Sequence, residues 1–418
     1  MRLGAGLFVF LLLLARPALC EEEAKSLDLA YKTRAIGELH AVRGDSPFAA
    51  GIPLTPFGAD RARVEEEVRG RAGPVSLLLT GTYATQERSA STGRLVANEL
   101  YTDFGSGENH FTFGKKILSG DVGYGFRPID VLQREVRLQV LPPVLVGVPH
   151  VAWERFTADE AWSAFWTNPG EGRRSDPKRD GSFALRYYRR AEIADLHGIA
   201  RASDRFGLET GGAFSSVPHE SVELHGSFLQ MRRGERTAPL AETAPTLQLL
   251  NPGLALQTQE LDHPRKALGG FTFTRESGWS FIGELWWDGT APTADQWRQL
   301  GAEARRRSAL AALPGIPSAA VAGSLAASST MFGVPSISRR SALAHLGWTD
   351  PGGNGWSANL DYLRTLEDGG YNVTAQITWE ADRLRLDAGV RRFGGRLDSA
   401  YRLLPERSIL FAGIALAF

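Results

Sequence analysis

Residues 371–391 alternate strictly between apolar and polar. Tyr371, Val373, Ala375, Ile377 and Trp379 fall on one side of an extended chain, and Asn372, Thr374, Gln376, Thr378 and Glu380 on the other. After Ala381 and Asp382 the pattern repeats, with Leu384, Leu386, Ala388 and Val390 opposed to Arg383, Arg385, Asp387 and Arg391. A strand sends successive side chains to opposite faces, so each segment predicts a strand with one apolar and one charged face. The short break between them predicts a tight hairpin.

The same reading extends along the chain. Val75 to Tyr83, Leu95 to Phe104 and Phe111 to Ile117 read as strands. Leu268 to Thr274 turns at Glu276-Ser277-Gly278 into Trp279 to Trp287, and Ser341 to Trp348 turns at Asp350 to Asn354 into Trp356 to Leu363. Rows of Arg and Glu opposite the aliphatic face argue against two packed sheets, which bury an apolar face of each. They suit a wall with lipid outside and water inside. Turns alternate between short ones near 157, 215, 277, 352 and 381 and long ones over 168–181, 231–266, 289–340 and 393–408. Trp153, Trp166, Tyr187, Tyr188, Trp286, Trp287, Trp348, Trp356 and Tyr371 gather near strand ends, as interfacial girdles do. The expectation is an all-β chain: a transmembrane, antiparallel, up-and-down β-barrel of about 16–18 strands with long extracellular loops.

The two ends support this. Arg2, the apolar run Leu7 to Ala15 and the site Ala18-Leu19-Cys20 read as a secretory signal over 1–20. Its removal takes away the only cysteine, so no disulfide or Cys-based metal site is expected. The 47 basic and 47 acidic side chains balance in the whole chain, and loss of Arg2 and Arg16 leaves the remainder acidic by two. That balance gives no support for nucleic-acid binding. At the other end, Leu410, Ala412, Ile414, Leu416 and Phe418 share one face of a final strand, with Ile409, Phe411, Gly413, Ala415 and Ala417 opposite. An apolar strand ending in Phe resembles the closing strand of a Gram-negative outer-membrane barrel. Phe418, Leu416 and Ile414 would then close the barrel and signal to the assembly machinery of that membrane. Residues 21–57 read as a short periplasmic or lumen segment, and 58–418 as the barrel.

Residues 111–169 carry an ordered pattern. Phe111-Thr-Phe-Gly114-Lys-Lys is followed by Ser119-Gly120-Asp121, Gly123-Tyr-Gly125, Arg127-Pro128-Ile129-Asp130, Gly147-Val148-Pro149, Trp153 and Trp166-Thr-Asn-Pro169. This resembles a region of porin-like outer-membrane proteins of poorly assigned function, with Lys115, Asp121 and Arg127 standing where those carry Arg, Trp and Asn. The resemblance implies a porin-like barrel and no particular substrate. On physical grounds the glycines and Pro128 suit a turn or a kink facing the lumen. Asp121, Arg127 and Asp130 read as turn residues first and solute contacts second.

Arg63, Glu65, Glu67 and Arg69 share one face of a strand, and Arg383, Arg385, Asp387 and Arg391 one face of another; all are pore-lining candidates. Their near balance predicts weak ion selectivity. In the loop 289–340, Thr293 and Gln296 form a capping box, and Trp297, Leu300 and Ala304 recur at helical spacing beside Arg298, Arg305, Arg306 and Arg307. Loops this long are usually functional or disordered. This one is expected to fold into the lumen as a constriction or gate, with Trp297, Arg298, Arg305 and Arg306 as its candidates; a surface loop capping the barrel is the alternative. His219, Ser221, Glu223 and His225 would share a strand face, but neighbours two apart lie about 7 Å from each other, too far for a nucleophile and its base. No catalytic motif is present, so no enzyme, metal or cofactor is expected. The sequence therefore reads as an outer-membrane porin-like channel for passive or facilitated diffusion of small solutes. Its partners would be membrane lipid, the assembly machinery, small solutes and possibly further copies of the chain. A gated transporter of hydrophobic compounds, or a barrel housing a partner protein, are the alternatives.

Overall fold

A computed structural model describes residues 27–418 except 56, 135–139, 171–178, 241–248 and 250. The leader at 1–20 lies outside the described residues. The chain forms β1 (Asp28–Val42), β2 (Arg61–Ala72), β3 (Val75–Gln86), β4 (Thr92–Ser106), β5 (Asn109–Lys116), β6 (Val148–Phe156) and β7 (Glu160–Thr167). β8 (Ser182–Arg190), β9 (Asp195–Ser203), β10 (Gly207–His219), β11 (Val222–Met231), β12 (Arg233–Pro239) and β13 (Leu256–Asp262) follow. The last strands are β14 (Arg265–Thr274), β15 (Trp279–Asp288), β16 (Arg340–Thr349), β17 (Trp356–Thr365), β18 (Tyr371–Glu380), β19 (Leu384–Gly394) and β20 (Glu406–Ala417). Three helices lie in long loops: α1 (Ala294–Leu310), α2 (Ser318–Ser329) and α3 (Ala400–Leu403).

Eighteen strands form one closed antiparallel sheet, each paired with its neighbours in sequence; β12 and β13 form a separate hairpin. β20 closes onto β1, with Phe418 and Tyr31 exchanging backbone hydrogen bonds of 2.9 and 3.0 Å. Closure gives each of the eighteen strands a paired neighbour on both sides, which satisfies the ladder groups except where bulges interrupt the register. The barrel begins at Asp28, within the stretch 21–57 that the sequence reading set before it. Asp28 and Phe418 share one rim with the short turns; all the long loops leave the other rim. Gly278 holds one such turn at φ 83°, where a Cβ would run into the carbonyl of Thr349.

The two faces separate as the alternation predicts. Leu410, Ile414, Leu416 and Phe418 are exposed on the outer wall, while Ile409, Phe411 and Ala415 are buried inside. Trp279 beside Trp348 and Trp356 beside Trp379 form an outward aromatic band at the rim of short turns. Tyr362 with Tyr371 and Trp166 with Phe183 do so at the opposite rim. Two expected girdle members turn inward. Trp286 packs in an internal core, and Tyr188 donates to Asp195 and lies at a tilt against the ring of the inward His197. The turn expected near 215 is absent. β10 continues through a bulge at Ser216–His219 that accommodates Pro218, and the chain turns at 220–221.

Candidate functional site

Between β5 and β6 lies the connection 117–147, whose described residues 117–134 and 140–147 lie against the inside of the barrel. Their contacts run round the inner wall. Leu118 and Leu132 pack on Ala152, Phe165 and Ala184 of β6–β8, and Ile129 and Val131 on Ile199, Ala213, Leu229 and Met231 of β9–β11. Leu141 meets Ile36 and Phe411 of β1 and β20. Polar anchors lie between these patches. Arg34 of β1 donates to the Pro142 carbonyl at 2.8 Å and Arg63 of β2 to that of Leu141 at 2.7 Å. Arg134 donates to Glu209 of β10 at 2.9 Å, and Arg186 of β8 lies 3.7 Å from Asp130. On the far wall, the backbone N–H groups of Tyr124 and Gly125 donate to Glu284 of β15 at 2.6 and 2.8 Å. The Tyr124 hydroxyl lies 3.1 Å from Nδ1 of His345 and 3.4 Å from Asp361.

The segment's own turn explains its shape. Asp121 accepts from the N–H groups of Val122 and Ile129, both at 2.7 Å. Arg127 donates to the Gly123 carbonyl at 3.0 Å and to Ser119 Oγ at 2.7 Å. Burial pushes the Asp121 carboxyl above its usual range, against those two backbone donors and Arg127. These residues shape the turn, the role their Gly-rich setting suggested.

Seven of the eight expected pore-lining residues belong to the inward face. Arg63, Glu65, Glu67 and Arg69 line β2; Arg385, Asp387 and Arg391 line β19. Arg34 and Arg63 converge on Glu65, Arg34 Nε donating at 2.9 Å. Asp387 accepts from Arg385, Gln376 and Thr378, and Arg391 donates to Thr374 at 2.7 Å. Arg383 is different: it lies exposed in the turn before β19, where the strand's alternation no longer applies.

The expected constriction loop behaves otherwise. Its capping box is present and α1 forms, but Trp297, Leu300 and Ala304 bury into a core shared with Phe48, Val321, Leu325, Met331, Phe332 and Leu403. These come from several long loops, so 289–340 is part of a cap at the mouth, resting on Trp286 and Leu343 of the inner wall. Arg298, Arg305 and Arg306 are exposed on its surface, where Arg298 pairs with Asp295 and Arg305 with Asp398. The segment with contacts all round the inner wall is 117–147.

His219, Ser221, Glu223 and His225 are not assembled as a site. His219 ends β10, Ser221 lies in the turn, and Glu223 and His225 belong to β11. His225 meets Glu284 at 3.1 Å. Among the described residues, no group of three or more His, Cys, Asp or Glu is placed to hold a metal ion.

The lumen ion pairs share an asymmetry of burial. Side-chain exposure is 3 % for Glu65 but 20 % for Arg34 and 23 % for Arg63. It is 0 % for Glu209 against 31 % for Arg134, 1 % for Asp130 against 19 % for Arg186, and 6 % for Asp387 against 44 % for Arg385. Asp103, more exposed than its partner Lys116, runs the other way. In most of these pairs the acid is the more deeply buried partner and the arginine the more accessible one.

Sequence reasoning missed Glu284, His345, Asp361, Arg186, Arg134 and Glu209. Glu284 had a signal: with Asp288 it is one of two carboxylates in the inward row Ser280, Ile282, Glu284, Trp286, Asp288. A buried acid needs a partner; Asp288 has Lys266 of the neighbouring strand, and the backbone partners of Glu284 come from another segment.

No protein-family model matches the sequence, and no curated protein matches it. Solved structures do. Pseudomonas aeruginosa OccK8 (OprE) is 10% identical with a TM-score of 0.54, over 95% of this chain and 99% of that one. Acinetobacter baumannii OccAB1 is 8% identical with a TM-score of 0.52, over 95% and 98%. The Pseudomonas aeruginosa outer membrane protein OpdK is 9% identical with a TM-score of 0.51, over 94% and 99%. The chain shares the fold of these outer-membrane porins along nearly its whole length.

Proposed function

We propose that the protein is an outer-membrane channel through which small solutes diffuse, with a preference for small organic anions. One observation carries the reading: a closed barrel has its charged inner face narrowed by its own segment 117–147, and most of the ion pairs around that segment turn their guanidinium to the lumen. A carboxylate passing there meets the half-buried Arg34, Arg63 and Arg134, whose balancing acids Glu65 and Glu209 are withdrawn into the wall, and Arg186, whose partner Asp130 is buried on the inner segment. Fields inside a narrow low-dielectric pore act strongly on a solute, so the exposed charge matters more than the formal balance. The weak selectivity expected from composition is thereby revised. OpdK has been solved with vanillate, an aromatic carboxylate, which makes vanillate a reasonable first probe here.

A barrel housing a partner protein fits less well, because the chain's own segment occupies the lumen. A hydrophobic path fits less well because the inward apolar residues are largely packed among themselves. The test is a planar-bilayer recording of the refolded mature protein in a salt gradient. Discrete conductance steps with a reversal potential on the anion side support the proposal. Steps with cation preference would overturn the solute class, and a folded but silent barrel would overturn the channel.

A further inference from the structure

We propose that Glu284 is a positioning residue for this channel, a latch that holds the inner segment against the β15 wall and thereby sets the width of the passage; the proposal rests on the channel reading above. The Glu284 side chain is fully excluded from solvent. Its two oxygens accept the N–H groups of Tyr124 and Gly125, and Oε1 also meets Nε2 of His225. An acceptor contacting two consecutive backbone donors fixes the backbone itself, whatever the side chains do. Removing it leaves two buried N–H groups without a partner, which a coil segment relieves by moving away.

Three glycines make the latch possible. On the segment, a Cβ at Gly125 would stand 2.6 Å from Leu343 Cδ2 and 3.2 Å from Glu284 Oε2, and one at Gly123 would stand 2.7 Å from Leu268 Cδ2. On the wall, a Cβ at Gly270 would overlap the His225 ring and reach within 2.8 Å of Glu284 Cγ. The Gly123-Tyr124-Gly125 motif thus lets the backbone approach a buried acid, and Gly270 clears the space for the His225–Glu284 pair behind it. The other polar anchors differ in kind. Arg34, Arg63 and Arg134 are long, partly solvated side chains that can follow a moving segment.

The experiment is single-channel recording of Glu284→Ala, with heat-modifiable gel migration to show that the barrel is folded. Conductance is expected to rise on the order of twofold with added open-channel noise, because the narrowest section governs flow. The pair Gly125→Cys and Leu343→Cys, added to Glu284→Ala, supplies a covalent substitute. Shortening Leu343 clears the space the new Cβ needs, and the mature chain has no other thiol. Oxidation should return conductance toward the parent value, and reduction should raise it again; a merely structural role for Glu284 would not give that reversal. If Glu284→Ala does not fold, Glu284→Gln, of the same size but with one acceptor oxygen, is read in the same way. Folded variants with parental conductance, or a bridge that forms without lowering the current, would overturn the latch. A folded parent that carries no current would overturn the channel reading instead.

Discussion

The mouth cap and the inner segment are both long connections at the same rim and both pack apolar side chains on the wall, yet they differ in what else holds them. The cap is helical, and Phe48, Trp297, Leu300, Leu325, Met331 and Leu403 form a core continuous with Trp286 and Leu343 of the wall. Within it the Nη1 of the buried Arg307 donates to Ser324 and Ser328 of α2, and burial pushes its guanidinium pKa down. The inner segment has no helix among its described residues. Its turn closes on Asp121, and much of its remaining polar bonding goes to wall side chains: Glu284, Arg34, Arg63 and Glu209. Apolar packing is non-directional, so a cap can assemble wherever its loops meet. Buried backbone groups need directed partners, so the inner segment can lie only where the wall supplies them.

That contrast can be broken in order of effect. Removing residues 119–131 should raise single-channel conductance severalfold, and removing 292–335 should raise it less; the reverse order would make the cap the true constriction. Trp297→Ala, which empties a buried site in the cap core, should cost about 3–5 kcal/mol in denaturant unfolding while changing conductance little. A large rise in conductance from that variant would show that the cap holds the inner segment. Replacing Arg63 and Arg186 by Gln should move the reversal potential toward cations without changing the number of steps. The smallest effect concerns pH. Because the Asp121 carboxyl is raised, it takes up its proton while ordinary carboxylates are still ionised. Anion preference should therefore grow as pH falls into that window, and the folded state should lose stability as pH rises through it. Asp121→Asn should flatten both trends, and an unchanged profile would show that Asp121 lies outside the current path.

Much of the wall was legible in the sequence. β18, β19 and β20 carry the faces that alternation assigned to them, since one face meets lipid-like surroundings and the other water. β1 was not legible as a barrel strand. Its outward row includes Ala35, Gly37 and Ala41, so the apolar signal is weak, while Lys32, Arg34, Glu38 and His40 crowd the inward row. The turn placed near 215 failed for a related reason. Ser215, Ser216 and Pro218 have turn chemistry, but a bulge absorbs the proline without ending the strand. The helix of 289–340 was legible from its capping box, its destination was not.

By itself, the sequence determined which side chains share a face and that the chain builds strands with one wet side. Those properties follow from a period of two along a few residues, which any local stretch displays. Only the tertiary structure decided that β1 joins β20, that acids withdraw behind arginines, and that 117–147 has its contacts round the inner wall. Each of these depends on partners far apart in sequence. Tyr124 and the Glu284 that holds it are separated by 160 positions, and no local pattern connects them before the barrel closes.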